Sequence, residues 1–241
     1  MRGRKKTPRL EADERERDRA EREFVTNAAH ELQSPLAAIT SAVEVLQAGA
    51  KDTPERDLFI DHIQREAQRL DRLTRSLLTL ARAQTKVEEP RWELIDLCPM
   101  LHAIAARMEP APDVSLMVEC PEDLALVTNR EVLEQTISNV VRNAVKYTEE
   151  GSIRLTAAPR HGLVEVSIID TGIGIPEEAL SRVVERFYRA DSSKEGFGLG
   201  LSIVQTAMGV LGGELEIASD GVGSGTTVTM RLPLRARRLA R

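Results

Sequence analysis

Four short segments in the second half of the chain carry residue types whose spacing suits chemistry on a nucleotide. In NVVRNAVKYT (139–148), Asn139, Asn143 and Lys146 stand four and three residues apart and so share one helix face. Amide oxygens ligate a hard cation and an ammonium neutralises phosphate, so this face suits a polyphosphate carrying Mg2+. A solvated helix face would offer the same residue types. In DTGIGIP (170–176) an acid ends an apolar run, and Gly172 and Gly174 let the backbone approach something flat. A carboxylate only accepts hydrogen bonds, so at the foot of a pocket Asp170 suits the exocyclic amine of adenine. A lone GxG is equally an ordinary glycine turn. In GFGLGLSIV (196–204), Gly196, Gly198 and Gly200 come directly before an apolar helix, where exposed N–H groups bind phosphate. The absence of GK[ST] excludes a Walker A loop, and the context lacks the leading strand of a dinucleotide fingerprint. ERFYRAD (185–191), between the two glycine segments, sets an aromatic pair before an arginine, the make-up of a mobile cover anchored by Phe187.

A fifth stretch, AAHELQSPLAAI (28–39), pairs His30 with Glu31 and carries Pro35 five residues beyond the histidine. A neutral imidazole is nucleophilic near pH 7, and an adjacent carboxylate can hold or take its second proton. At ~100° per residue His30 projects about 200° around the helix from Ala28, away from the apolar stripe. A solvated histidine would look the same from this stretch alone.

These groups need elements to position them. Residues 11–89 hold no glycine except Gly49, and their patterning is helical. Acid-to-base pairs four apart (Glu11/Arg15, Asp13/Arg17, Asp18/Arg22) support an exposed helix, each by ~0.2–0.5 kcal/mol. An apolar stripe then runs Phe24, Ala28, Leu32, Pro35, Ile39, Val43, Leu46, and a second one Phe59, Ile63, Ala67, Leu70, Leu73, Leu77, Leu80. The two predict an antiparallel hairpin joined by a turn around Gly49 to Pro54. A lone hairpin buries too little surface, so a homodimeric four-helix bundle is the expected completion, the alternative being a hairpin packed on the chain's own second half. Beyond Pro90 the pattern turns to short strands, 92–97, 114–120, 153–157, 164–169, 214–219 and 226–232. Helices are expected over about 129–147, capped by Asn129, and over about 199–211. That mixture predicts an α+β domain with helices on one face of a mixed sheet.

Length and composition set outer bounds. A chain of 241 residues makes one large or two ordinary domains, and a net charge of -5 offers no basic field for nucleic acid. Two cysteines, Cys98 and Cys120, exclude a disulfide framework and give no zinc spacing. No stretch approaches the roughly 18–20 apolar residues of a membrane span. The expectation is a cytoplasmic chain, with the basic opening MRGRKKTPR lying near a membrane only if a sensor or transmembrane part precedes it.

Taken in order, NVVRNAVKYT, DTGIGIP, ERFYRAD and GFGLGLSIV resemble the N, G1, F and G2 boxes of the sensor histidine kinases of two-component systems. FVTNAAHELQSPL resembles that family's H box, and the likeness runs from about residue 20 to residue 234. The resemblance implies a multi-domain fold: an all-α antiparallel hairpin forming a dimeric four-helix bundle, then an α+β sandwich of the Bergerat (GHKL) type that binds ATP. The implied division is a charged lead-in (1–20), a dimerisation and phosphoacceptor domain (21–89), a catalytic ATP-binding domain (90–235) and a tail (236–241). It further implies autophosphorylation of His30, assisted by Glu31, and transfer to an aspartate on the receiver domain of a response regulator. Asn143, aided by Asn139, would ligate Mg2+; Lys146 would reach phosphate; Tyr147 would pack on the base. Asp170 would take the adenine amine in a pocket shaped by Gly172, Gly174 and Ile175. Arg189, Gly196, Gly198, Leu199, Gly200 and Thr226 complete the implied nucleotide contacts.

The chain departs from the family's usual pattern in places. Gln33 stands where Arg or Lys is usual, and Ser34 where Thr or Asn commonly serves dephosphorylation of the regulator. The lid from Pro176 to Gly196 is short, and Thr128-Asn129 replaces a frequent Gly-Asp. The competing readings are a scaffold that binds ATP without phosphorylating, a GHKL ATPase or protein-serine kinase, and a pure dimerisation module. The intact His30, Glu31, Asn143 and Asp170 oppose the first, the H box and hairpin the second, and the glycine boxes the third.

Overall fold

The computed structural model describes residues 8–48, 55–85, 91–191 and 197–234. The side chains of residues 1–23, with the three helix charge pairs, fall outside the described residues. So do the turn from Gly49 to Pro54, Leu80, Gly196 and residues 235–241. The chain divides into two compact units, 1–78 and 79–241.

The first unit is helical, as its two apolar stripes require. α1 spans Pro8–Gln47 and α2 spans Arg56–Thr85, running past the division. α1 continues unbroken through Pro35, whose ring is buried. On α1 the buried residues Ala28, Pro35 and Ala42 recur every seven positions, a coiled-coil spacing, while Val43 of the expected stripe is 36% exposed. On α2 Leu73 is fully buried, and Arg69 lies 3.9 Å from Glu31 across the hairpin.

The second unit contains β1 (Glu93–Asp96), α3 (Leu97–Ala105), β2 (Val114–Glu119), β3 (Ala125–Thr128) and α4 (Arg130–Tyr147). It continues with β4 (Gly151–Arg160), β5 (Leu163–Asp170), α5 (Glu177–Leu180), α6 (Gly200–Leu211), β6 (Glu214–Ala218) and β7 (Thr226–Pro233). Five strands form one sheet in the order β2-β4-β5-β7-β6. β2 pairs parallel with β4, and the remaining pairings are antiparallel, so the sheet is mixed as expected. Alternation along each strand sends Ile153, Leu155, Val164, Val166, Ile168, Val228 and Met230 into a core. Leu101 and Ile104 of α3, Ile137 and Val141 of α4, and Val204 and Met208 of α6 complete it. The opposite sheet face is polar: Arg231 bridges Glu165 (3.1 Å) and Glu216 (2.7 Å), and the hydroxyls of Ser167 and Thr229 are 3.2 Å apart.

Local signals set the ends that matter for the site. The side chain of Asn129 accepts from the Val132 N–H at 2.9 Å, the expected cap of α4. Gly212, in the left-handed region, stops α6. The β5–β7 register pairs Asp170, last in β5, with Thr226, first in β7. Three elements go beyond the sequence expectations, one of them the short α5. β3 pairs antiparallel with β1 as a separate two-stranded ribbon, and α3 begins where the strand at 92–97 is expected to finish.

Candidate functional site

α4 carries the amide face. Asn139, Asn143 and Lys146 lie in its last three turns, all partly buried. The Asn139 Oδ1 accepts from the Arg142 guanidinium at 3.0 Å, while its Nδ2 is buried without a hydrogen-bond partner. Lys146 Nζ donates to the Tyr147 hydroxyl at 2.8 Å and lies 4.4 Å from that ring's centre. The lysine and tyrosine assigned to the two ends of a nucleotide therefore contact each other here.

The loop after β5 folds back against the end of α4. The Ile173 N–H donates to the Tyr147 carbonyl at 3.1 Å. Gly172 lies so close that a Cβ there would come within 2.9 Å of both Asp170 Oδ1 and Thr148 Oγ1. Asp170 Oδ1 accepts the N–H of Gly172 at 2.9 Å and that of Thr226 at 3.1 Å. Burial raises the carboxyl pKa above its ordinary value, and these two N–H groups pull against that shift. The carboxylate is thus aimed by its own backbone and by the register partner that β7 supplies. Gly174 has φ +69°, and a side chain there would strike the Gly221 carbonyl, so glycine is needed on both counts.

α6 supplies the third wall. Gly200, its first residue, lies against Asn143: a Cβ on Gly200 would be 3.4 Å from the amide nitrogen. Leu199 is buried just before it. Gly198 (φ +65°) accepts the Phe187 N–H at 2.9 Å, and its Cβ position would be 2.6 Å from the Phe187 carbonyl carbon. Phe187 itself holds φ +63°, an uncommon conformation for a side chain of that size. Arg189 lies two residues beyond, half-buried.

The structure accordingly brings Asn143, Tyr147, Asp170, Gly172, Gly174, Ile175, Gly198, Gly200 and Thr226 to the ends of α4, β5, α6 and β7. Gly196 lies outside the described residues. Among the described residues no cluster of three His, Cys, Asp or Glu could hold a metal by itself. His30 is exposed on α1, as are Gln33 and Ser34, whereas Glu31 is half-buried and faces Arg69. Two residues bear on the site that the motif reading passes over. Thr148, buried with its hydroxyl unpartnered, abuts Gly172, and Ser219 bonds the N–H of Ile175 at 2.9 Å. A serine before Asp220-Gly221 carries only the ordinary signal of a turn.

Comparison with known proteins gives the same outline. Residues 20–86 match the His Kinase A (phospho-acceptor) domain, and residues 128–236 match the histidine kinase-, DNA gyrase B- and HSP90-like ATPase domain. The sensor histidine kinase WalK of Bacillus subtilis is 33% identical over 232 residues, covering 90% of this chain and 37% of WalK. The chain spans about a third to a half of the curated relatives it matches. In fold it is similar to the histidine kinase AdeS of Acinetobacter baumannii, with TM-score 0.71, 18% identity, and 86% of this chain and 98% of that one covered. It is likewise similar to histidine kinase ThkA in complex with the response regulator protein TrrA, with TM-score 0.66, 21% identity, and 96% and 68% covered. A phospho-acceptor domain is followed by an ATPase domain, and nine-tenths of this chain aligns with part of a sensor histidine kinase, so the chain belongs to the sensor histidine kinase family as its catalytic core.

Proposed function

We propose that the chain uses ATP to phosphorylate its own His30 and passes the phosphoryl group to an aspartate of a partner response regulator. One observation carries the reading: an exposed histidine on a phospho-acceptor helix shares a chain with a site that gathers Asn143, Asp170 and the Gly198–Gly200 turn. Asp170 accepts the adenine amine, and the Gly172–Ile175 loop and Tyr147 border the base. Asn143, Lys146, Arg189 and the Gly198–Gly200 turn face the phosphates. Two amide oxygens without a carboxylate cluster suit a Mg2+ brought in with ATP, which Asn143 and Asn139 would help hold. The buried, unpartnered Nδ2 of Asn139 is a donor suited to a phosphate oxygen, while its Oδ1, held by Arg142 here, would have to be released to reach the ion. The chemistry such an ion would supply is neutralisation of charge on the transferring group.

In the transfer, the Nε2 lone pair of His30 forms a bond to the γ-phosphorus as the bond to the β–γ bridging oxygen breaks, and ADP departs with that electron pair. The Glu31 carboxylate, 3.9 Å from Arg69 in the structure, would turn to His30 to take the Nδ1 proton. The aspartate of the regulator then takes the phosphoryl group from His30. ThkA, similar in fold, was solved with a response regulator bound, which supports a partner of that type. Ser34, exposed one turn beyond His30, positions a water that attacks the regulator's aspartyl phosphate, breaking its P–O bond and releasing inorganic phosphate. The bundle domain (21–89) pairs with a second copy, and the ATP-binding domain (90–235) serves it. Among the described residues no helix is long and apolar enough to cross a membrane.

The test is incubation with γ-labelled ATP and Mg2+. The label is expected to be lost in acid, stable in base, and absent from His30→Ala. An acid-stable label, or one that survives that substitution, would overturn the reading.

A further inference from the structure

The loop after β5 does not hold its own shape; the β6–β7 connection laces it down. The Gly223 N–H donates to the Ile173 carbonyl at 2.7 Å, and the Gly225 N–H to the Gly172 carbonyl at 3.1 Å. The Thr226 N–H reaches the Asp170 carboxylate at 3.1 Å. Contact between the two segments is close enough that a Cβ at Gly225 would strike the Asp170 carbonyl. At the far end of this seam stands one side chain, Ser219. Its Oγ accepts the Ile175 N–H at 2.9 Å and donates to the Gly225 carbonyl at 2.7 Å. It also lies 3.2 Å from where a Gly174 Cβ would be, so the glycine backbone passes close beside the hydroxyl.

From this we infer that Ser219 is a positioning and specificity-determining residue for the purine base, acting through the loop that borders it. The inference rests on the nucleotide reading of the site. A loop with glycine at 172 and 174 has many conformations, and ordering it on binding would be subtracted from affinity. The hydroxyl fixes Ile175 at one end of the loop. Through Gly225 it also steadies Thr226, whose N–H aims the Asp170 carboxylate at the other. A held carboxylate accepts the amine of adenine and repels the carbonyl oxygen that guanine carries at the same place. A loop free to shift would lose part of that distinction. Ser219 touches no reacting atom, so its removal weakens base recognition and leaves phosphoryl transfer at saturation nearly unchanged.

The experiment uses the full chain with Ser219→Ala, Ser219→Thr and Ser219→Cys, and Asp170→Asn as a control for base recognition. ADP and GDP dissociation constants are measured by calorimetry, and KM and kcat by autophosphorylation. The expected result for Ser219→Ala is a rise of about five- to tenfold in the ADP constant and in the KM for ATP, the scale of one hydrogen bond. The ratio of GDP to ADP constants shrinks and kcat stays within about twofold. Ser219→Thr, which keeps the hydroxyl, restores the wild-type ratio. If the alanine variant folds poorly, Ser219→Cys replaces it, with a weaker donor and the same directions. An unchanged ADP constant in Ser219→Ala or Ser219→Cys, or a fall in kcat at constant KM, overturns the proposal. So does a threonine variant as weak as alanine. A wild-type chain that binds no ADP instead overturns the nucleotide reading, and this proposal with it.

Discussion

The two units bury their apolar residues in different ways. In the second, each sheet strand sends alternate residues onto α3, α4 and α6, and Ile137, Leu155 and Met230 are all fully enclosed. In the hairpin the described buried residues are small or few, Ala28, Pro35 and Ala42 on α1 and Leu73 on α2. Meanwhile Val25, Leu36 and Leu58 stand 60%, 56% and 66% exposed. A nucleotide site needs fixed walls, and the second unit provides them from its own core. An acceptor helix needs an accessible histidine, and the hairpin's exposed apolar surface is what the proposed second copy would cover.

Substitutions that distinguish the two kinds of burial test this difference most sharply. Ile137→Ala removes a fully buried side chain behind the face that carries Asn139 and Asn143. It should cost about 2–5 kcal/mol. The check is a denaturant titration followed by a signal from the second unit, with ADP affinity falling in parallel. An Ile137→Ala protein as stable as the parent would mean that the second unit does not rest on this core.

Gly198→Ala comes next. Its φ of +65° and the Phe187 backbone 2.6 Å from the added carbon both oppose a side chain. The conformational part alone is about 1–2 kcal/mol. The damage should stay local: a several-fold weaker nucleotide affinity, with the melting temperature of the unit lowered by only a few degrees. Hydrogen exchange at Phe187, whose N–H is bonded to the Gly198 carbonyl, reads the disruption directly.

Leu58→Ala is the smallest change for the protomer, within about 0.5 kcal/mol at so exposed a position. Its effect should appear instead in self-association, measured by sedimentation across a concentration series. The helical melting transition of the parent should likewise rise with protein concentration, whereas that of the second unit should not. Concentration-independent melting of both would break the contrast.

Much of this arrangement is legible in the residues, for a physical reason. Periods of 3.6 and 2 record which face is buried, so the helix of Asn139, Asn143 and Lys146 and the strands leading to Asp170 can be read directly. Register across strands is not local. Nothing near Asp170 announces that Thr226, 56 residues away, donates its N–H to the carboxylate. The same applies to Ser219, whose partners Ile175 and Gly225 meet only after β5, β6 and β7 have paired. β3 is four residues long, too short to show alternation before its β1 partner is known. On α1 the expected stripe advances to Val43, but the buried residue is Ala42. The seven-residue spacing from Ala28 and Pro35 is kept, and seam geometry outweighs side-chain size there.

The most delicate expected effect is the pH dependence of Asp170, because its two consequences have opposite signs. Burial raises its pKa in the folded chain above the ordinary aspartate value, with the Gly172 and Thr226 N–H groups only partly offsetting the shift. The folded state therefore holds that proton to higher pH than the unfolded chain does. Without nucleotide, the ionised carboxylate is a penalty on folding. That penalty is fully present above the raised pKa and is relieved as pH falls through it. On the proposed reading, adenine binding favours the opposite form, since the ionised carboxylate keeps Oδ2 as a strong acceptor for the amine while Oδ1 holds the two backbone N–H groups. ADP affinity should thus begin to fall, as pH is lowered, above the range in which an ordinary aspartate protonates. Dividing the wild-type dissociation constant by that of Asp170→Asn at each pH removes the titration of the nucleotide itself. A ratio that rises as pH falls through the raised pKa would locate the acceptor at Asp170. A flat ratio would mean that the carboxylate serves the loop, through the N–H groups it holds, and not the base.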